Sequence, residues 1–260
     1  MVKLKNKFKK VLDKALFLYY NDFMNERSKM FLVDNTDKLK DVMEFKDGAY
    51  YKFVCLVRAK DYKENPNNQV LHCMEKQEIL VKDWLVDTPE RLGGTLPDML
   101  KFTELFKCRL YMCTDRKSVL KTLKTMRDTV QKYLDPFLGN PNASCSVRAV
   151  KKIASSASNM DESSDKNGRK WLFDVDTKCD SLKNYLMNCF MLNHYNPVLF
   201  KTKSGYHVVT DRCFDAHKFV EEELPDAAYK EHLQMYWLDK NNQPLVELKE
   251  NAMVLVAMGE

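Results

Sequence analysis

The sequence predicts an α+β protein, a mixed sheet with helices packed mainly on one face. Two observations carry that expectation. From Cys108 onward the apolar spacing switches repeatedly between period two and period 3.6, giving the order strand, helix, loop, strand, helix, hairpin, helix, strand. With 260 residues, 45% of them apolar and 30% charged, the chain also has enough material for a sizeable core. Residues 108–260 form the predicted core, and residues 1–107 a smaller N-terminal α/β portion.

Taken in order, residues 3–23 place Leu4, Phe8, Val11, Leu12, Ala15, Leu16 and Tyr19 at helical spacing, with lysines on the other face. Residues 49–59 are rich in Tyr, Phe and Val and predict a strand, and 70–81 a second. A mixed helical stretch through Trp84 follows, and Gly93-Gly94 predicts a turn. Residues 96–106 read as helix and 108–114 as strand. A helix then starts at Asp115, with Val119, Leu120, Leu123, Met126, Val130 and Tyr133 on its inward face and Pro136 at its end.

Between Gly139 and Gly168 the composition turns to Asn, Ser, Asp and Gly. Residues 155–168 offer almost nothing to bury, which predicts a mobile surface loop. Beyond it lie a strand at 170–176, a helix at 181–194 and a β-hairpin at 197–210. A short helix at 214–223, a strand at 234–239 and a last apolar run at 252–258 complete the pattern.

The bulk numbers exclude several classes. Eight cysteines occur without any C-x-x-C pair, so a zinc ribbon has no support, and the expectation is reduced thiols, mostly buried. Seven glycines and no G-x-x-x-x-G-K-[ST] argue against a P-loop enzyme. The run Ala15-Leu16-Phe17-Leu18-Tyr19-Tyr20 is too short for a signal core or a membrane span, which predicts a soluble cytoplasmic protein with no membrane partner. A net charge of +5 is compatible with a polyanionic partner.

The chemistry-bearing residues concentrate between 170 and 210. Lys170-Trp171-Leu172-Phe173-Asp174-Val175-Asp176 is an apolar run ending in two aspartates one residue apart. On a strand such residues share a face. Paired carboxylates repel unless a cation separates them, and oxygen donors of this kind suit Mg²⁺ or Mn²⁺. The alternative is a pair of ordinary strand-end polar residues. The hairpin carries Lys203-Ser204-Gly205-Tyr206-His207, where glycine permits close approach to a ligand and the histidine can donate to phosphate. Arg116 and Lys117 lie at an expected helix N-terminus, a place that suits phosphate as well as a solvated first turn. Asp239 ends the late strand and is a candidate third carboxylate or a turn opener.

Leu172-Phe173-Asp174-Val175-Asp176 resembles the hydrophobic-Asp-x-Asp motif of the archaeo-eukaryotic primase and primase-polymerase superfamily. Gly205-Tyr206-His207 resembles its small-x-His motif. Leu238-Asp239 resembles the third, a hydrophobic residue before aspartate, although Phe214-Asp215 fits that pattern too. The resemblance spans roughly residues 108–239, and the chain looks like the small divergent members carried by phages and other mobile elements.

The resemblance implies an RRM-like catalytic core and template-directed nucleotidyl transfer with Mg²⁺ or Mn²⁺. Asp174, Asp176 and Asp239 would be metal ligands. His207 would contact the phosphates of an incoming nucleoside triphosphate, and Lys203, Ser204, Gly205, Arg116 and Lys117 would be nucleotide-binding candidates. Single-stranded template and a replication helicase are the implied partners. Two other functions use the same sequence: a metal-dependent nuclease with the same carboxylates, and a non-catalytic RRM-like module stacking bases on Trp171, Tyr206 and Tyr236.

Overall fold

The computed structural model describes residues 31–58, 61, 78–139, 153, 157–159, 161–192, 194–211, 246–249 and 252–259. The elements expected at 3–23, 214–223 and 234–239 lie outside the described residues.

The chain begins with β1 (Phe31–Asp34), a 3-10 turn at Thr36–Lys38 and α1 (Leu39–Val42). The long strand β2 (Ala49–Arg58) and β3 (Glu78–Val86) follow, then α2 (Pro89–Leu105), β4 (Arg109–Cys113), the short β5 (Lys117–Ser118) and α3 (Val119–Gly139). After 3-10 turns at Asp161–Ser163 and Lys166–Gly168 come β6 (Trp171–Val175), α4 (Asp180–Leu192), β7 (Val198–Lys201) and β8 (Tyr206–Thr210). β9 (Val246–Lys249) and β10 (Met253–Gly259) close the described chain.

The architecture is α+β, with two sheets. The larger runs β1-β10-β4-β2-β3, with β5 added to β2, and the smaller runs β7-β8-β6-β9. Every strand pair registered among the described residues is antiparallel, so the mixed sheet expected from helix-separated strands is not what forms. The larger sheet draws strands from both sides of Lys107, β10 lying between β1 and β4.

Period-two alternation explains how the small sheet is used. Phe173 and Val175 of β6 and Val208 of β8 face α4 and pack on Leu182, Leu186 and Phe190. The Phe173 and Phe190 rings sit 5.1 Å apart. The opposite face supplies Leu172, Phe200 and Val209 to the core shared with Phe53, Met112 and Val254 of the large sheet and Met99 and Leu100 of α2. Asn35 staples the two sheets. Its Nδ2 donates to the Lys201 and Leu255 carbonyls (2.8 and 2.9 Å), and its Oδ1 accepts from the Lys201 amide at 2.8 Å.

Several local expectations are corrected. Trp84 lies in β3, and Gly93-Gly94 sits inside α2 instead of in a turn. Thr88 caps that helix by accepting from the Arg91 amide at 3.1 Å, and Pro89 fills its first position, so the start signal upstream outweighs the glycines. α3 begins at Val119 rather than Asp115, because Lys117–Ser118 pairs with Ala49 and Tyr50 of β2. It carries Pro136 within its last turn and runs to Gly139. The expected surface loop is partly interior: Ala157, Ser158, Ser163 and Ser164 are buried, tied down by hydrogen bonds instead of apolar packing. No described helix is long and apolar enough to cross a membrane.

Candidate active site

The face of the small sheet turned toward the large one changes character along its length. One row across the sheet is Val198, Val209, Leu172 and Lys249, and the next is Phe200, His207, Asp174 and Glu247. The first row is largely apolar and closes the core. The second places an imidazole and a carboxylate as direct cross-strand neighbours, with a second carboxylate on the far side.

His207 Nε2 lies 3.4 Å from Asp174 Oδ1, with the two side chains only 12% and 15% exposed. On its other edge, His207 Nδ1 accepts the Leu255 amide of β10 at 3.3 Å. That backbone donor assigns the lone pair to Nδ1, so the neutral ring carries its proton on Nε2, facing Asp174. The second Asp174 oxygen is paired with the Lys249 ammonium, which also lies 3.5 Å from Glu247. Burial alone would raise the Asp174 carboxyl. Hydrogen bonds and charge from His207 and Lys249 outweigh it and hold the pKa down at about 2. The same partnership raises Lys249 against the opposing pull of its own partial burial. Asp174 is therefore ionised at neutral pH and held between two donors.

Asp176 falls one residue beyond the end of β6 and is exposed. The strand stops at Val175, so the period-two argument does not carry to it. Lys203 and Ser204 form the hairpin tip, and Gly205 is buried where that tip folds back. A Cβ at Gly205 would stand 1.9 Å from the Val175 carbonyl oxygen, so glycine lets the turn approach the end of β6 itself. The Gly205 amide donates to Thr202 Oγ1 at 2.9 Å, fixing the turn that carries His207 onto its strand. Asp239 lies outside the described residues, as does Tyr236. Trp171 and Tyr206 pack beside the α4 core.

Arg116 and Lys117 belong to a different environment. Both are buried. Arg116 donates to Asp165 Oδ2 through Nε and Nη2 (3.1 and 2.9 Å) and to the Glu44 carbonyl at 2.8 Å. Lys117 Nζ donates to Ser164 Oγ at 2.7 Å. Asp115, beside them, accepts the Lys170 amide at 3.2 Å, and burial pushes its carboxyl upward. These cations clamp the 161–170 segment to the end of β4.

Glu247 and Lys249 were not among the residues singled out from sequence. The signal was available: Val246-Glu247-Leu248-Lys249 alternates apolar and charged residues, which places both charges on one face of a strand.

A hard divalent ion needs oxygen donors, and here the Lys249 ammonium already occupies the space between Asp174 and Glu247, so it would have to leave before an ion could enter. Among the described residues no group of three His, Cys, Asp or Glu could hold a metal. Mg²⁺, however, commonly uses one or two carboxylates and completes its shell with water and substrate phosphate. Asp174 and its cross-strand neighbour Glu247 are the carboxylates this row offers for that purpose. Comparison of the chain with protein-family models, with curated proteins and with solved structures returned no match in any of the three.

Proposed function

We propose that this chain is a metal-dependent nucleotidyltransferase of primase-polymerase type, with an RRM-like catalytic core, acting on single-stranded nucleic acid and nucleoside triphosphates. The observation that carries the proposal is the cross-strand pairing of Asp174 with His207. The two motif residues come from separate segments and meet on one face of one sheet. Chance placement of an isolated D-x-D and an isolated Gly-x-His does not require that meeting.

In this reading Asp174 and Asp176 hold Mg²⁺ or Mn²⁺, with Asp239 as the third ligand that the resemblance implies. The ion, when bound, would neutralise phosphate charge and favour ionisation of the attacking hydroxyl. Asp174 needs no deprotonation step, since its pKa of about 2 keeps it charged at working pH. His207 keeps its proton on Nε2 and is fixed by the Leu255 amide, so it serves as a hydrogen-bond donor to a phosphate oxygen, not as a base. Lys249 is the exchangeable cation of this reading, its side chain 42% exposed. It guards Asp174 without substrate and can swing toward triphosphate charge when Asp174 takes another partner. Lys203 at the hairpin tip adds a further positive charge, and the buried Arg116 and Lys117 support the scaffold around the nucleotide. A replication helicase remains the partner the resemblance suggests.

The test is incubation of the protein with single-stranded template, nucleotides and Mn²⁺. Extended product from the wild type and none from Asp174→Ala or His207→Ala is the expected outcome. Degradation of a labelled strand without nucleotides would assign the same carboxylates to a nuclease. Strand binding indifferent to EDTA and to Asp174→Ala, with no product, would assign a binding module instead.

A further inference from the structure

The large sheet changes its edge partner at Leu255. β1 pairs with β10 only as far as Asp34, opposite Ala257. Against β4 the β10 register shifts between Leu255 and Ala257, and the consecutive Val256 and Ala257 both enter the core shared by the two sheets. Two neighbouring residues on one face mark a β-bulge. Beyond the end of β1 the Leu255 peptide groups are met by side chains. Its amide donates to His207 Nδ1 at 3.3 Å, and its carbonyl accepts from Asn35 Nδ2 at 2.9 Å.

Asn35 directly follows β1 and is 3% exposed. Its backbone amide donates to the Val256 carbonyl at 2.8 Å. Its carboxamide meets β7, the end strand of the small sheet, accepting from the Lys201 amide and donating to the Lys201 carbonyl, both at 2.8 Å. One planar amide therefore pairs with Lys201 as a neighbouring strand would, and spends its second N–H on Leu255. Lys201 lies opposite Tyr206, and Phe200 opposite His207. The contacts close as a ring: Asn35 to Lys201, across the hairpin to His207, from Nδ1 to Leu255, and from Leu255 back to Asn35. Asparagine is the side chain that fits. An ionised aspartate would set oxygen against two carbonyls, and alanine would leave both unmet.

We propose that Asn35 is a positioning residue for His207, holding the Leu255 amide on Nδ1 so that the Nε2 proton stays aimed along the row that contains Asp174. Any effect on turnover rests on the nucleotidyl-transfer reading, whereas the hold on Nδ1 is measured without substrate.

Hydrogen exchange and nitrogen NMR spectra of the full chain test this. In the wild type the Lys201 and Leu255 amides, on different sheets, should open together with one dependence on urea. Asn35→Ala should speed exchange of both by about 10-fold or more, the scale of one lost buried hydrogen bond. It should also move the His207 Nδ1 resonance toward that of an imidazole nitrogen with no donor. His207→Ala should speed Leu255 alone. With substrate, Asn35→Ala should lower kcat/KM for nucleotide by about 10-fold per folded molecule, and His207→Ala by more. Independent opening of Lys201 and Leu255 in the wild type overturns the inference, and decides the matter even if Asn35→Ala does not fold. An unmoved Nδ1 resonance in folded Asn35→Ala overturns it too, leaving Asn35 a staple between sheets and nothing more. A wild type that makes no product while the spectra behave as expected would sink nucleotidyl transfer and leave the positioning of His207 standing.

Discussion

Asp174 and Asp115 are both interior carboxylates on or just beyond a strand, and their surroundings push them in opposite directions. Asp174 sits in a row of side chains on β6, with an imidazole on one flank and an ammonium on the other, and is held down at about 2. Asp115 follows β4, where burial dominates and pushes it up against the opposing pull of the Lys170 amide and of Lys117 and Arg169. The contrast separates two uses of buried charge. A carboxylate kept ionised beside a lysine that is 42% exposed can exchange that lysine for another cation. A carboxylate anchored by backbone donors and flanked by fully engaged cations holds a segment in place.

The largest effect that would break this contrast is on turnover. Asp174→Ala should lower nucleotide incorporation by about 10³-fold or more, the loss typical of removing a preorganised charge at a reacting centre. Asp115→Ala should leave the rate per folded molecule within a few-fold. Steady-state kinetics on both variants, corrected for folded fraction, makes the comparison.

Next in size is stability. Arg116→Ala leaves Asp165, 18% exposed, and the Glu44 carbonyl without their shared donor and should cost about 2–3 kcal/mol. Lys249→Ala removes a partner that is 42% exposed and should cost under about 1 kcal/mol. Urea titrations of the two variants give the ranking, and a larger loss from Lys249→Ala would reverse the assignment of scaffold and site. Gly205→Ala belongs with the costly group, at about 3 kcal/mol, because the Val175 carbonyl must move to admit the methyl.

The smallest effect is a difference in pH dependence. Asp174 has a folded pKa below its ordinary 3.8, so its contribution is fully present above that value and is lost as pH falls toward about 2. Asp174→Asn should remove about 1–2 kcal/mol at neutral pH, a penalty that shrinks through this acid window. Asp115 has a folded pKa above its ordinary value, so its ionised form costs stability once pH exceeds 3.8. Asp115→Asn should therefore be neutral or stabilising at pH 7 and should lose that advantage in acid. Thermal melts across pH 2.5–7 should show opposite slopes for the two asparagine variants.

Much of this arrangement was legible in the sequence, for physical reasons that differ by residue. Asp174 and His207 could be read because each interrupts an apolar β-run, where a polar residue needs a partner. Their meeting follows from the β6–β8 register, where Gly205 lets the turn close on the end of β6. Asp176 was misplaced on the strand because period two says nothing about where a strand stops. Lys249 and Glu247 were overlooked because a short V-E-L-K strand far along the chain gives no hint of which strand it joins. Arg116 and Lys117 looked like phosphate ligands at a helix start. Tertiary pairing of Lys117–Ser118 with β2 moved that start to Val119 and turned both cations inward. Leu120, Leu123 and Val130 of α3 were assigned to the core yet are exposed, because apolar periodicity reports which residues share a face, not what that face meets.

The most direct measurement is the structure of crystals soaked in MnCl₂ with a non-hydrolysable nucleoside triphosphate, collected at the manganese edge. The account predicts anomalous density about 2.1 Å from the carboxylates of Asp174 and Asp176, phosphate oxygens against His207 Nε2, and Lys249 moved off Asp174. Lys249 still seated on Asp174, with no manganese beside it, would contradict the account.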